Sequence, residues 1–192
     1  AGPAMVRADL QDLPTVVAAL EQGGRLLELG CGVASRLTAL LRAFPTATAV
    51  GVELAPDLVA YGRARAEQVG VADRLELVVA DATMYQPEGL FDLVGWSQFF
   101  FPEPARAGAL ATALGALRPD GWVTMPVVWD GTVHPQGSPE QQELAVERLA
   151  LDLWDVPVRS TAEVLAEVAA AGFVDVRVDS RPYIHFVRGR RP

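Results

Sequence analysis

The sequence predicts a doubly wound α/β domain, a mostly parallel sheet with helices on both faces and an antiparallel hairpin at its C-terminal end. Three observations carry that expectation. Five short apolar runs alternate with stretches of helical periodicity, which calls for parallel strands joined by helical crossovers. The last two strand-like runs adjoin at Arg181-Pro182, a connection too short for anything but an antiparallel pair. The 192 residues are 51% hydrophobic, enough for one domain with a substantial core.

The elements follow in order. Residues 1–24 read as an N-terminal helical segment whose irregular opening, AGPAM, looks vector-derived. The remainder, 25–192, reads as one ligand-binding domain. RLLEL (25–29) is the first strand, and Val33 to Ala43 carries Leu37, Leu40 and Leu41 at helical spacing before Pro45. TAVGVEL (48–54) is the second strand, and Pro56 opens a helix toward Gly70, since proline suits a first helical turn. RLELVVAD (74–81) and FDLVGW (91–96) are the third and fourth strands. Between Pro104 and Leu117, Ala105, Ala109, Leu110, Ala113, Leu114 and Leu117 recur at helical spacing. Pro119-Asp120-Gly121 reads as a turn before the fifth strand, WVTMPVVW (122–129). The substrate-side insertion, around residues 130–160, begins with a Gly- and Pro-rich loop and continues as a helix over about 140–153. Ser160-Thr161-Ala162-Glu163 has capping-box spacing and starts a helix ending at Gly172. FVDVRVDS (173–180) and PYIHFVR (182–188) form the hairpin.

Composition limits the partners. A net charge of −8 speaks against nucleic acid, and the basic cluster Arg188, Arg190 and Arg191 reads as a solvated tail. No run reaches membrane-spanning length and no secretory signal opens the chain, so no membrane partner and a cytoplasmic location are expected. The single cysteine, Cys31, rules out an internal disulfide. Two histidines 51 positions apart, with no cysteine cluster, give no metal-ligand spacing, so no metal is expected.

Ligands in doubly wound sheets bind beyond the carboxyl ends of the strands, so the residues after each strand are the candidates. LLELGCGVA (26–34) supplies Glu28, Gly30, Cys31 and Gly32. Gly30 permits a tight turn and Gly32 lets a ligand approach the backbone, although such a pair can also be only a turn. Cys31 reads as a small packed residue whose backbone touches the ligand, not as a nucleophile. Glu53, 23 residues after Gly30, suits the two hydroxyls of a ribose, and it equally suits an acid favoured by a helix dipole. Asp81, followed by Ala82, can accept from the exocyclic amine of adenine or simply cap a turn. Ser97 and Gln98 follow the fourth strand, then Phe99, Phe100 and Phe101, which line a pocket or form a lid.

LLELGCGVA, GVELAPDLV, LVVADAT, FDLVGWSQFF and LRPDGWV together resemble the successive motifs of the class I S-adenosylmethionine (SAM)-dependent methyltransferases. They stand in the family's order and spacing, over about residues 25–188. The resemblance implies a seven-stranded sheet whose last strand is antiparallel, with SAM as cofactor and S-adenosylhomocysteine as product. It implies that Glu28, Gly30, Cys31 and Gly32 surround the methionine part, that Glu53 with Leu54 beside it holds the ribose, that Asp81 and Ala82 contact the adenine, and that Ser97 and Gln98 flank the sulfonium. Glu28 speaks separately against a dinucleotide: a carboxylate there would repel a pyrophosphate and attract a cationic ligand. With no pyrophosphate to fit, the third glycine of a dinucleotide turn is not required, and Ala34 stands in its place.

The expected reaction is methyl transfer to an oxygen or nitrogen of a small-molecule substrate, driven mainly by proximity and orientation. His134, in the loop after the fifth strand, is the candidate general base, with Asp130 to orient or replace it. His185 reads as structural, and Tyr85 and Trp129 as wall or core residues. Substrate contacts are expected from the 130–160 insertion and from the N-terminal helix around Leu10 to Leu20. So small a cap suits a small metabolite, an accessory domain outside this sequence, or closure by a second copy in a homodimer. Two rivals stay open: a SAM-binding fold with other chemistry or a partner-binding role, and an NAD-dependent oxidoreductase.

Overall fold

The computed structural model describes residues 2–127, 132, 134–181 and 184–192. Strands β1 (Arg25–Leu29), β2 (Thr48–Glu53), β3 (Leu75–Val79), β4 (Phe91–Trp96), β5 (Leu117–Val127), β6 (Val174–Arg181) and β7 (Ile184–Arg190) form one sheet in the order β3-β2-β1-β4-β5-β7-β6. The first five run parallel, and β7 lies antiparallel between β5 and β6. This is the mostly parallel seven-stranded sheet that the sequence predicts.

Helices α1 (Pro3–Asp9), α2 (Pro14–Glu21), α3 (Ser35–Ala43) and α4 (Pro56–Gln68) cover one face. Helices α5 (Glu103–Ala116) and α7 (Thr161–Ala170) cover the other, and α6 (Pro139–Asp152) precedes α7. Each face therefore buries its own apolar cluster, and all six residues of β4 are buried. That accounts for the near-continuous apolar character of the central strands, since parallel strands covered on both sides have no solvent face. The chain runs outward from β1 through β2 to β3, then returns to β4 on the opposite side of β1. The sheet's switch point thus lies between β1 and β4, where such folds open a crevice.

Local chemistry sets the boundaries. Pro56 opens α4, and Ser160 and Glu163 form the reciprocal capping box of α7. Helix α3 begins at Ser35, not Val33, because Gly32 and Ala34 both have positive φ, 55° and 54°. Ala34 is fully buried in that left-handed conformation, which costs an L-residue about 1–2 kcal/mol. The turn therefore still asks for a glycine at position 34, whatever ligand it holds. Residues read as a turn at 119–121 lie inside β5 as a bulge: Leu117 pairs with Phe91, Trp122 with Leu93, and Asp120 takes φ 62°.

Two expectations change. Arg188, Arg190 and Arg191 are no solvated tail, because β7 is flanked by strands on both sides. Arg188 is fully buried, 2.9 Å from Asp179, while Arg190 pairs with Asp120 and Asp175 and Arg191 donates to the Leu117 carbonyl. The N-terminal apolar residues Leu10, Leu13, Val16 and Leu20 are buried against the sheet, so they are spent on the core and not on a substrate. None of the described helices is long and apolar enough to cross a membrane.

Candidate functional site

A cleft of about 610 Å³ opens at the carboxyl ends of β1, β2, β3 and β4. Gly30 and Gly32, Glu53 and Leu54, and Asp81 and Ala82 all line it, so the residues picked after three separate strands converge. Leu58, Phe100, Phe101, Trp154 and Val156 complete much of an apolar wall.

The glycine turn is built tightly. The N–H groups of Gly30 and Cys31 both donate to the Val52 carbonyl, at 2.9 and 3.0 Å, which binds the turn to the end of β2. Gly30 has φ 71°, and a Cβ there would lie 2.7 Å from the Phe101 ring. Over Gly32 a Cβ would meet nothing within 4 Å. One glycine is thus required by protein packing, whereas the other faces open space. Cys31 is buried, and desolvation, then the nearby Glu28 and Glu53 carboxylates, push its thiol far above the ordinary range. Such a thiol is no nucleophile at neutral pH.

Glu53 accepts three backbone N–H bonds: Gly32 at 2.9 Å on Oε2, Leu54 at 2.9 Å and Ala55 at 3.1 Å on Oε1. A carboxylate has about four acceptor positions, so lone-pair capacity remains toward the cleft. Asp81 accepts from the Thr83 N–H and hydroxyl, both at 2.8 Å, which realises the turn-capping role while leaving Asp81 exposed in the cleft wall.

Glu28 lies one position back from the end of β1 and is only 4% exposed. Burial raises its carboxyl from an ordinary 4.5 to about 6, against the opposing pull of Arg36. Ionising Glu28 therefore costs more in the folded chain than in the unfolded one, although it is a carboxylate at neutral pH. Stability from this group is highest below pH 4.5, declines as pH rises to about 6, and stays about 2 kcal/mol lower above that. Glu28→Gln should accordingly raise the melting temperature at pH 8 and leave it nearly unchanged at pH 4.5. A lower melting temperature at pH 8 would contradict a desolvated carboxylate.

Other expected residues lie elsewhere. Gln98 is buried, with its amide donating to the Pro126 carbonyl at 3.1 Å and accepting from Arg106 at 3.0 Å. Ser97 and Gln98 adjoin the cleft through Phe100 and Phe101 and are not themselves in its lining. His134, half-buried ahead of α6, is not in the lining either. His185 Nδ1 lies 2.9 Å from Ser180 Oγ across the hairpin. Tyr85 packs on the core, and burial raises its hydroxyl. Trp129 and Asp130 lie outside the described residues.

Sequence reasoning passed over Arg106. It is 2% exposed and binds Glu167 through Nε at 2.8 Å and Nη2 at 2.6 Å. It also binds the Gln98 carbonyl at 2.9 Å and stands 4.9 Å from the centre of the Trp96 ring. The signal was present: Arg106 precedes Ala109 and Leu110 by three and four positions, on the stripe that α5 buries.

A family described as "Methyltransferase domain" matches residues 26–121, which span β1 through the bulge of β5. The chain belongs to that family, within the class I SAM-dependent methyltransferases. Trans-aconitate 2-methyltransferase of Streptomyces avermitilis is 26% identical over 174 residues, covering 88% of this chain and 64% of that protein. Erythromycin 3''-O-methyltransferase of Saccharopolyspora erythraea is 30% identical over 172 residues, covering 85% of this chain and 55% of that protein. This chain thus spans less than two thirds of either relative. Among solved structures, an O-methyltransferase family protein from Burkholderia thailandensis superimposes with a TM-score of 0.74 at 18% identity, covering 98% of this chain and 57% of that one. That likeness concerns the fold.

The residues present fit the family's cofactor. Glu28 offers a buried carboxylate whose Oε2 has no hydrogen-bond partner among the described residues. Glu53 keeps acceptor capacity, and Gly32 leaves backbone open to a ligand. A third carboxylate, Asp81, stands at the far strand. That acidic set suits a cationic adenosyl compound and is hostile to a pyrophosphate.

Proposed function

We propose that this chain is the catalytic domain of a SAM-dependent methyltransferase that methylates an oxygen or nitrogen of a small molecule. The observation that carries the reading is that Glu53 and Asp81 line one cleft with the glycine turn at Gly30 and Gly32, while Glu28 lies buried behind that lining at the end of β1. In this reading Glu28 meets the ammonium end of the cofactor, Glu53 accepts from the ribose with Leu54 beside it, and Asp81 with Ala82 borders the adenine. Ser97 and Gln98 then act through the segment they anchor, which carries Phe100 and Phe101 into the cleft wall.

The bound cofactor supplies a methyl group on a positively charged sulfur, already activated for displacement. The chain's own task is to orient the acceptor and exclude water, and orientation alone can contribute on the order of 7–11 kcal/mol in favourable cases. Phe100 and Trp154, 6.2 Å apart at the cleft, supply apolar surface for that purpose. Where the acceptor must lose a proton, His134 is our candidate base; an unchanged kcat in His134→Gln removes it. The small-molecule reading is supported by the two relatives, named for trans-aconitate and erythromycin, and the oxygen reading by the second of them.

Calorimetry with S-adenosylhomocysteine and with NAD, followed by labelled SAM with candidate acceptors, tests the proposal. Binding of S-adenosylhomocysteine and transfer of label are the expected results. Preference for NAD would overturn the cofactor, and binding without transfer to any acceptor would favour a partner-binding or non-methylating role. Location in the cytoplasm and assembly as a homodimer are further parts of this reading, and sedimentation of the protein checks the second.

A further inference from the structure

Glu28 pairs in the β1–β4 ladder with Gly95, one row behind the strand ends at Leu29 and Trp96. Its carboxylate lies on the α3 side of the sheet, and Arg36, in the first turn of α3, reaches over it. Arg36 Nη1 is 3.8 Å from Glu28 Oε1. That is an ion pair, too long for a hydrogen bond. No hydrogen bond to the Arg36 guanidinium, which has five donors, occurs among the described residues. The guanidinium fits there because residue 95 is glycine: a Cβ would stand 2.7 Å from Arg36 Nη1 and 3.7 Å from Glu28 Oε1.

The pairing is loose on both sides. Glu28 keeps one orphan oxygen, and the Arg36 side chain, 23% exposed, has solvent to move into. Arg36 also compensates incompletely, since burial still outweighs it and holds the carboxyl at about 6. A buried carboxylate with a poorly seated counter-ion is the arrangement least favoured by desolvation.

We propose that Arg36 is half of a clamp for the cofactor's amino-acid tail: it covers Glu28 when the tail is absent, then cedes Glu28 to the tail's ammonium and takes the tail's carboxylate. The inference rests on the SAM reading above. Charge counting supports the exchange. The tail brings one ammonium and one carboxylate, and the site holds one carboxylate and one guanidinium. Exchange leaves each charge with an opposite partner. Insertion without exchange would crowd two cations on Glu28 and set the tail's carboxylate beside it without a cation. A guanidinium can also grip a carboxylate bidentately, with better geometry than it has on Glu28.

The test compares S-adenosylhomocysteine with its decarboxylated counterpart, S-adenosyl-3-thiopropylamine, which keeps the ammonium and lacks the carboxylate. Binding of each is measured calorimetrically for the wild type, Arg36→Ala, Arg36→Lys and Glu28→Gln, each checked for an intact thermal transition. Arg36→Ala should weaken S-adenosylhomocysteine roughly tenfold or more and leave the amine within about twofold, with Arg36→Lys between. Glu28→Gln should weaken both ligands, because both carry the ammonium. Equal losses for the two ligands in Arg36→Ala, or no loss for either, would overturn the clamp. Failure of the wild type to bind either ligand would instead overturn the SAM reading, and the clamp with it.

Discussion

Glu53→Ala is expected to weaken S-adenosylhomocysteine by about 1.5–3 kcal/mol for each ribose hydroxyl that the carboxylate accepts, which is roughly ten- to hundredfold per bond. The same carboxylate also ties the N–H groups of Gly32, Leu54 and Ala55, so its removal loosens the glycine turn as well. The two effects separate with a cofactor analogue lacking the ribose 2′-hydroxyl. In the wild type that analogue should bind more weakly than its parent, and in Glu53→Ala the difference should disappear. A difference that persists in the variant would place the ribose elsewhere, whatever happens to the overall affinity. Melting of the unliganded variant measures the structural share of the loss.

How far the sequence revealed the molecule depends on whether a feature is local. The strands and helices were legible because each writes its period into a contiguous run, and glycine, proline and the Ser160–Glu163 pair mark the ends. The cleft residues were legible for a related reason. In a doubly wound sheet, position after a strand is also position at the crevice, so Gly30, Gly32, Glu53, Leu54, Asp81 and Ala82 could be picked one strand at a time. Contacts between distant elements were not. Nothing near Arg188 announces that β7 will lie between β5 and β6 with Asp179 beside it. Nor does the motif around Gly30 announce that Phe101, some seventy residues later, sets the limit on its side chain.

Gln98 illustrates the same division more sharply. The family resemblance implies a place for it beside the sulfonium, and its side chain is engaged by Pro126 and Arg106. Adjacency in sequence does not say which side chain of such a segment turns toward the cleft. The decision belongs to Arg106, on a different helix, whose guanidinium claims both the carbonyl and the amide oxygen of Gln98. The aromatic neighbours Phe100 and Phe101 are then left to face the cleft.

Arg106→Met should be the most destabilising single change outside the apolar core, because three elements meet on this one side chain. Arg106 lies on α5, Glu167 on α7, and Gln98 in the segment after β4, which in turn holds β5 through Pro126. Methionine replaces much of the volume and keeps contact with Trp96, so a cavity contributes little. The cost comes from polar groups stranded on the other side: the Gln98 amide oxygen and the Glu167 carboxylate. Removing one partner of a buried pair typically costs about 3–5 kcal/mol. Glu167 belongs at the lower end, since its side chain is 23% exposed and Arg159 remains at 3.9 Å. A loss of about 3 kcal/mol, or roughly 6–12 °C in melting temperature for a domain of this size, is therefore expected in denaturant or thermal unfolding. Arg106→Met combined with Glu167→Met should recover part of the loss, because the second change removes the stranded charge. If the double variant is instead less stable by the sum of both single effects, the carboxylate is not what Arg106 neutralises, and the cost lies in Gln98 and the segment it anchors.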